Sequence, residues 1–142
     1  MKIDYLWHGS PEKFNILKPT KADDFTNPFG NLFGVYATNF KEAAIAFAMG
    51  NKPDKEGRIT KFIKGIKNIQ MVFIYGTPNF GGLGYLYKLS HEGFKEVCPG
   101  QYVCEKEVIP LEIIEIKVDD YRYLYRFATK EEIKTFKETG KI

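Results

Sequence analysis

The stretch Tyr5-Leu6-Trp7-His8-Gly9-Ser10 sets an imidazole, a residue with no side chain and a hydroxyl side by side, between an apolar run and Pro11. Such a run reads as a strand that ends at His8, where Gly9 lets the backbone approach a bound molecule closely and Ser10 adds a hydroxyl. A second short strand, Gly34-Val35-Tyr36-Ala37-Thr38, carries a tyrosine and leads straight into a helix. A third stretch, Gln101-Tyr102-Val103 followed by Val108-Ile109-Pro110, is read as a strand over 101–107. Period two then puts Gln101, Val103, Glu105 and Glu107 on one face. Ring, amide and carboxylate groups at three strand positions suit the holding of a ligand and the stabilisation of charge on it.

These three stretches, in this order, resemble the ADP-ribosyltransferases of the diphtheria-toxin and PARP-like class. That pattern is His-Gly-Ser/Thr, then Gly-x-Tyr-x, then an acidic residue on a late strand. The resemblance implies an α+β fold of two small, mostly antiparallel sheets that form an NAD cleft beside a helix. It implies NAD as substrate, with cleavage of the nicotinamide–ribose bond by mono-ADP-ribosyl transfer or hydrolysis. His8 would hold the nicotinamide-side ribose, the Gly9 backbone the carboxamide, and Tyr36, with Ala37 beside it, a stacking face; Ser10 fits the Ser/Thr position.

Counting on from Tyr36, Ala44 falls where the family has a serine touching the carboxamide, and Phe47 where it has a second stacking tyrosine. Ala44 donates no hydrogen bond, whereas Phe47 still stacks. Gln101 falls on the acid. An amide there can bond ribose hydroxyls but cannot counter the positive charge of an oxocarbenium-like state, so the implied activity is low and polymer elongation is not implied. Glu105 lies about 13 Å further along the strand, too far to replace it without a bulge. The acceptor, protein or nucleic acid, is not readable.

Two other function classes compete. Arg58, Lys61, Lys64 and Lys67 recur every third residue beside Phe62, a spacing that suits either a nucleic-acid-binding module or a solvated face. A relic of the same fold acting only through protein contacts would bind neither ligand. The glycine-rich 76–84 stretch has no phosphate-loop pattern and reads as a mobile hairpin, and His91 as a surface turn residue.

The 142 residues suit one domain, 1–142, and the net charge of +3 permits a polyanion or an anionic dinucleotide without demanding either. Met1-Lys2-Ile3-Asp4 opens no apolar run of signal length, which reads as a soluble, cytoplasmic chain with no membrane partner. His8, His91, Cys98 and Cys104 are the whole supply of soft ligands, in no metal-binding spacing, so no metal is expected and the thiols read as reduced.

The elements that must position these groups follow from period and punctuation. A strand is expected over 3–7, a long loop over 19–33 and a strand over 33–37. Asn39 and Glu42 then have capping-box spacing, and Phe40, Ala43, Ala44, Phe47 and Ala48 form a helical stripe closed by Gly50. A strand is favoured near 59–64 over a helix, with Gly65 as its break. Residues 68–75 read as a central strand with 83–89 as its antiparallel neighbour, and 111–118 as the last strand. Thr129 and Glu132 cap a final helix that Gly140 ends.

Overall fold

The computed structural model describes residues 5–21 and 33–142. It is a mixed α+β protein of small sheets, most of their pairs antiparallel. The strands are β1 (Tyr5–Ser10), β2 (Thr20–Lys21), β3 (Phe33–Ala37), β4 (Asn51–Lys52), β5 (Thr60–Lys64), β6 (Gln70–Tyr75), β7 (Thr77–Pro78), β8 (Leu83–Ser90), β9 (Lys95–Cys98), β10 (Gln101–Cys104), β11 (Glu112–Lys117) and β12 (Tyr125–Phe127). Two α-helices, α1 (Lys41–Ala48) and α2 (Lys130–Thr139), and 3₁₀ turns over Val118–Leu124 complete the described chain. No helix among the described residues is long and apolar enough to cross a membrane.

One sheet has the order β1-β8-β11 and a second β2-β3-β10-β9. They meet at a bridge in which Trp7 and Thr38 exchange both backbone hydrogen bonds, at 2.8 and 2.9 Å. Alternation along β1 sends Leu6 into a cluster with Leu17, Val35, Ala37, Tyr87, Leu89 and Tyr102, and Trp7 to the opposite cluster around α1. Both faces of this sheet are therefore buried.

Helix α1 lies unusually close to it. A Cβ on Gly9 would sit 1.7 Å from the Ala44 carbonyl oxygen, and one on Gly84 2.1 Å from that of Ala48, so two glycines and a run of alanines set the separation. The Asn39–Glu42 capping box does not form. The helix starts one residue later, with Phe40 as N-cap and no side-chain cap, because the bridged Thr38 turns its hydroxyl onto the Phe40 N–H at 3.1 Å. Asn39 Oδ1 is left buried without a hydrogen-bond partner among the described residues. Gly50, at φ 66°, ends the helix in the left-handed region.

Strand β6 is central and apolar on both faces, but its neighbours are β5 and, in parallel, β12. The expected partner, β8, pairs instead with β1 and β11. After β6 the chain turns at Gly76 (φ 85°) and pairs β7 with β4, which carries it away before β8 begins. The glycine-rich turn that follows is anchored: Asp119 accepts from the Gly81 N–H and the Phe80 carbonyl from Lys52 Nζ. Strand β1 runs on through His8 to Ser10 rather than ending at His8. The expected start at Ile3, the opening tetrapeptide and most of the 19–33 loop lie outside the described residues.

Helix α2 carries the Thr129–Glu132 capping box and the left-handed Gly140 as its sequence requires. Its Phe136 packs edge-on against Phe62 and Tyr75. The thiols of Cys98 and Cys104 are free, and no cluster of three metal-ligating side chains occurs among the described residues.

Candidate functional site: the split between two strands

An antiparallel ladder alternates between residue pairs that exchange hydrogen bonds and pairs that do not. Trp7 spends its backbone groups on Thr38, so on the β8 side Trp7 and, two residues on, Gly9 belong to the non-bonded pairs with Lys88 and Leu86. The Gly9 N–H and C=O thus face the same way as those of Trp7, towards β3. Continued by two residues, the Trp7–Thr38 register would put Gly9 opposite Tyr36, yet no such pair forms. The Tyr36 carbonyl accepts instead from the His8 ring, Nδ1 to oxygen 2.6 Å. The imidazole is a wedge: it takes the bond that would have closed the ladder and leaves the Gly9 edge without a cross-strand partner among the described residues.

With Nδ1 donating to a carbonyl, neutral His8 must carry its proton there, and Nε2 is an acceptor. Burial pushes the His8 pKa below its ordinary value, with the Tyr36 bond opposing more weakly, so the ring is neutral at pH 7. Tyr87 supports it from β8. The fully buried Tyr87 ring lies 5.7 Å from that of His8, centroid to centroid. Its hydroxyl accepts from the Phe14 N–H at 2.7 Å and donates to the Glu12 carbonyl at 2.9 Å.

The split opens into a cleft of about 590 Å³ lined by His8, Gly9, Ser10, Phe14, Ile16, Leu17, Lys18, Thr20, Gly34, Val35 and Tyr36. Ser10 Oγ accepts from the Glu12 N–H, which turns the chain at the end of β1. Tyr36 pairs with Val103 of β10. Gln101, at the start of β10, is not among the residues lining the cleft, and the pairing of β10 with β9 shifts register between Gln101 and Tyr102. Gly100, at φ 80°, turns into Gln101, and the room left by its missing side chain is filled by the Phe40 ring ahead of α1. Trp7 and Thr38 share a face, so Gly9 and Tyr36 lie on the α1 side, whereas His8 enters the split from the other.

Of the residues expected to act together, His8, Gly9, Ser10 and Tyr36 line one cleft. Ala37 faces the core with Leu6 and Tyr102, and Ala44 is fully buried with its carbonyl against Gly9. Phe47 leaves the expected apolar stripe and is 41% exposed, outside the lining of the cleft. Strand β10 ends at Cys104, so the expected face carrying Glu105 and Glu107 does not extend to them; both are exposed in the segment that follows. Tyr87 and the lining segment from Phe14 to Thr20 carry no sequence mark of their role, for both are defined by long-range pairing.

The basic row does not make one surface. Lys61 and Lys64 are on a strand, where residues three apart point to opposite faces. Arg58 stacks on Tyr75 at 3.9 Å and pairs with Asp54 at 3.0 Å. His91 is exposed in a turn closed by its carbonyl and the Phe94 N–H.

No family model, no curated protein and no solved structure matches this chain.

Proposed function

We propose that the split binds the nicotinamide end of NAD, and that the chain is an ADP-ribosyltransferase-like domain that cleaves the nicotinamide–ribose bond slowly. The observation that carries this reading is the open Gly9 edge beside the His8 wedge. A strand residue whose N–H and C=O have no partner on one side among the described residues is complementary to a primary carboxamide, which accepts from the one and donates to the other as a neighbouring strand would. Tyr36 supplies an aromatic face at the same height along the split. His8 Nε2 is an acceptor for a ribose hydroxyl, and the buried Nδ1–carbonyl bond keeps that tautomer in place.

Bond cleavage develops positive charge on the ribose. In this reading Gln101 would bond a ribose hydroxyl but brings no charge, which makes the wild-type rate low. Ala44 adds no donor to the carboxamide. The mobile acceptor of the ADP-ribosyl group, water or a side chain, is left to the open side of the cleft.

The test is nicotinamide release by wild type, Gln101→Glu and His8→Ala/Gln101→Glu. Adding the carboxylate at unchanged side-chain length is expected to raise the rate about 100- to 1000-fold, the effect of one electrostatic contact worth about 2.7–4 kcal/mol. Removing His8 from that variant is expected to abolish the gain. Three inert proteins that also show no thermal shift with millimolar NAD would sink the reading and leave a protein that acts through contacts alone.

A further inference from the structure

Along the side of β3 that faces β1, Thr38 exchanges backbone bonds with Trp7, the Tyr36 carbonyl accepts from the His8 ring, and Gly34 pairs with Thr20 of β2. The far side of β1 fixes which way Gly9 looks. Lys88 gives its carbonyl to the Leu111 N–H at 2.8 Å, so it is the alternate residues Leu89, Tyr87 and Tyr85 that bond β1, through Leu6, His8 and Ser10. The Gly9 N–H therefore points at Tyr36 across a gap bounded by the Trp7–Thr38 bridge and the Thr20–Gly34 pair. Gly9 is a strand residue without a positive φ, and the bridge already holds both strands at ladder spacing, so a Gly9–Tyr36 pair needs no change of register. It needs only the departure of the imidazole.

We infer that His8 is a positioning residue that pins the two strands open, and that without its Nδ1 donor the Gly9 N–H closes onto the Tyr36 carbonyl and fills the split with the chain's own peptide group. The Tyr36 carbonyl offers Gly9 the same acceptor as a primary carboxamide would, so the closed ladder is a built-in competitor for the edge a ligand uses. The closure follows from strand geometry alone. That it shuts a carboxamide site rests on the proposed function.

Amide hydrogen exchange without ligand tests the pin. In wild type the Gly9 amide is expected to exchange at least about tenfold faster than those of Leu6 and His8 on the same strand. In His8→Ala and His8→Val, which lack the donor, Gly9 should slow to match Leu6. His8→Asn should behave as wild type, because its Nδ2 lies as many bonds from the backbone as the imidazole Nδ1 and donates to the same carbonyl. Nicotinamide, which carries no ribose for His8 to touch, should bind the Ala and Val variants at least about tenfold more weakly than wild type or His8→Asn. A Gly9 amide as fast in folded His8→Ala and His8→Val as in wild type overturns the pin, as does one already as protected as Leu6 in wild type. Unfolding of both variants overturns it too, since a ladder able to close stands without the ring, and slow exchange in His8→Asn overturns the part given to the Nδ1 donor. Closure seen by exchange while wild type binds no nicotinamide leaves the pin standing and overturns the carboxamide reading. Nicotinamide binding by wild type, with Gly9 exchange unmoved by the variants, does the reverse.

Discussion

At the level of single residues the site turns on one hydrogen bond. The His8 Nδ1–Tyr36 carbonyl contact fixes a tautomer and also holds two strands apart. Burial lowers the His8 pKa, so the neutral ring persists below the usual 6.5 of histidine. The sign follows: a depressed folded-state value means stability present above the unfolded pKa and lost as pH falls through the folded one. Ligand binding should follow the same course, since a proton on Nε2 removes the acceptor. Under the proposed reading, NAD affinity is expected to stay flat from pH 8 down past the ordinary histidine value of 6.5 and to drop only as pH falls through the lowered His8 pKa, with the imidazole shifts of His8 in NMR moving in the same range. An affinity that climbs on acidification would contradict the assigned tautomer. That His8 and Gly9 lie on one strand and Tyr36 on another was legible in sequence, because an apolar run before His-Gly and the short run around Tyr36 are local signals. The wedge itself was not, since it depends on which strand lies across from Gly9.

Elements differ in how much of them is local. Helix α2 was readable to its caps because Thr129, Glu132 and Gly140 act within one or two turns. Glu132 also bonds Arg126, and with that guanidinium and the Thr129 N–H it is held at a pKa of about 2. The start of α1 misled because the Thr38 hydroxyl, positioned by a long-range bridge, took the N–H that decides where the helix begins. The pairing of β8 misled for a related reason: alternation marks a strand but not its neighbours. Tyr87 shows what such pairing builds. It ties the Glu12–Phe14 segment, one wall of the cleft, to the strand beside His8. Tyr87→Phe keeps the ring contact and loses both bonds, which should cost about 1–3 kcal/mol where the Phe14 N–H is left unpaired. Ligand affinity should fall with it, and amide exchange in residues 12–16 should quicken while that of β8 is unchanged. Protection of that wall equal to wild type would mean the tyrosine hydroxyl does not hold it.

The whole molecule is arranged around the contact between α1 and the sheet containing β1 and β8. One core cluster gathers α1 with residues of β6, β8, β11 and the 3₁₀ turns, and the other fills the opposite face of the same sheet. Gly9 and Gly84 are the places where this contact tolerates nothing larger, because the obstacle in each case is the helix backbone itself. Gly9 thus has two reasons to be glycine: clearance for α1 on one side of the strand, and the open edge towards β3. Neither residue has a positive φ, so alanine strains no dihedral there and acts only by pushing the helix away. Overpacking of this kind costs about 1–3 kcal/mol and should lower Tm by about 2–4 °C for each kcal/mol in a chain near this size. The single tryptophan, Trp7, lies on β1 beneath the Lys41 ammonium of α1, 4.9 Å from the ring centroid, so its emission reports on this contact. In both Gly9→Ala and Gly84→Ala the native emission should shift to the red, and the fluorescence and far-ultraviolet circular dichroism transitions should still coincide, because a core shared by both sheets unfolds as one. A Gly9→Ala protein with wild-type Tm and emission would show that α1 does not rest on the glycine, whereas two separated transitions would show that the sheets on either side of the split fold apart.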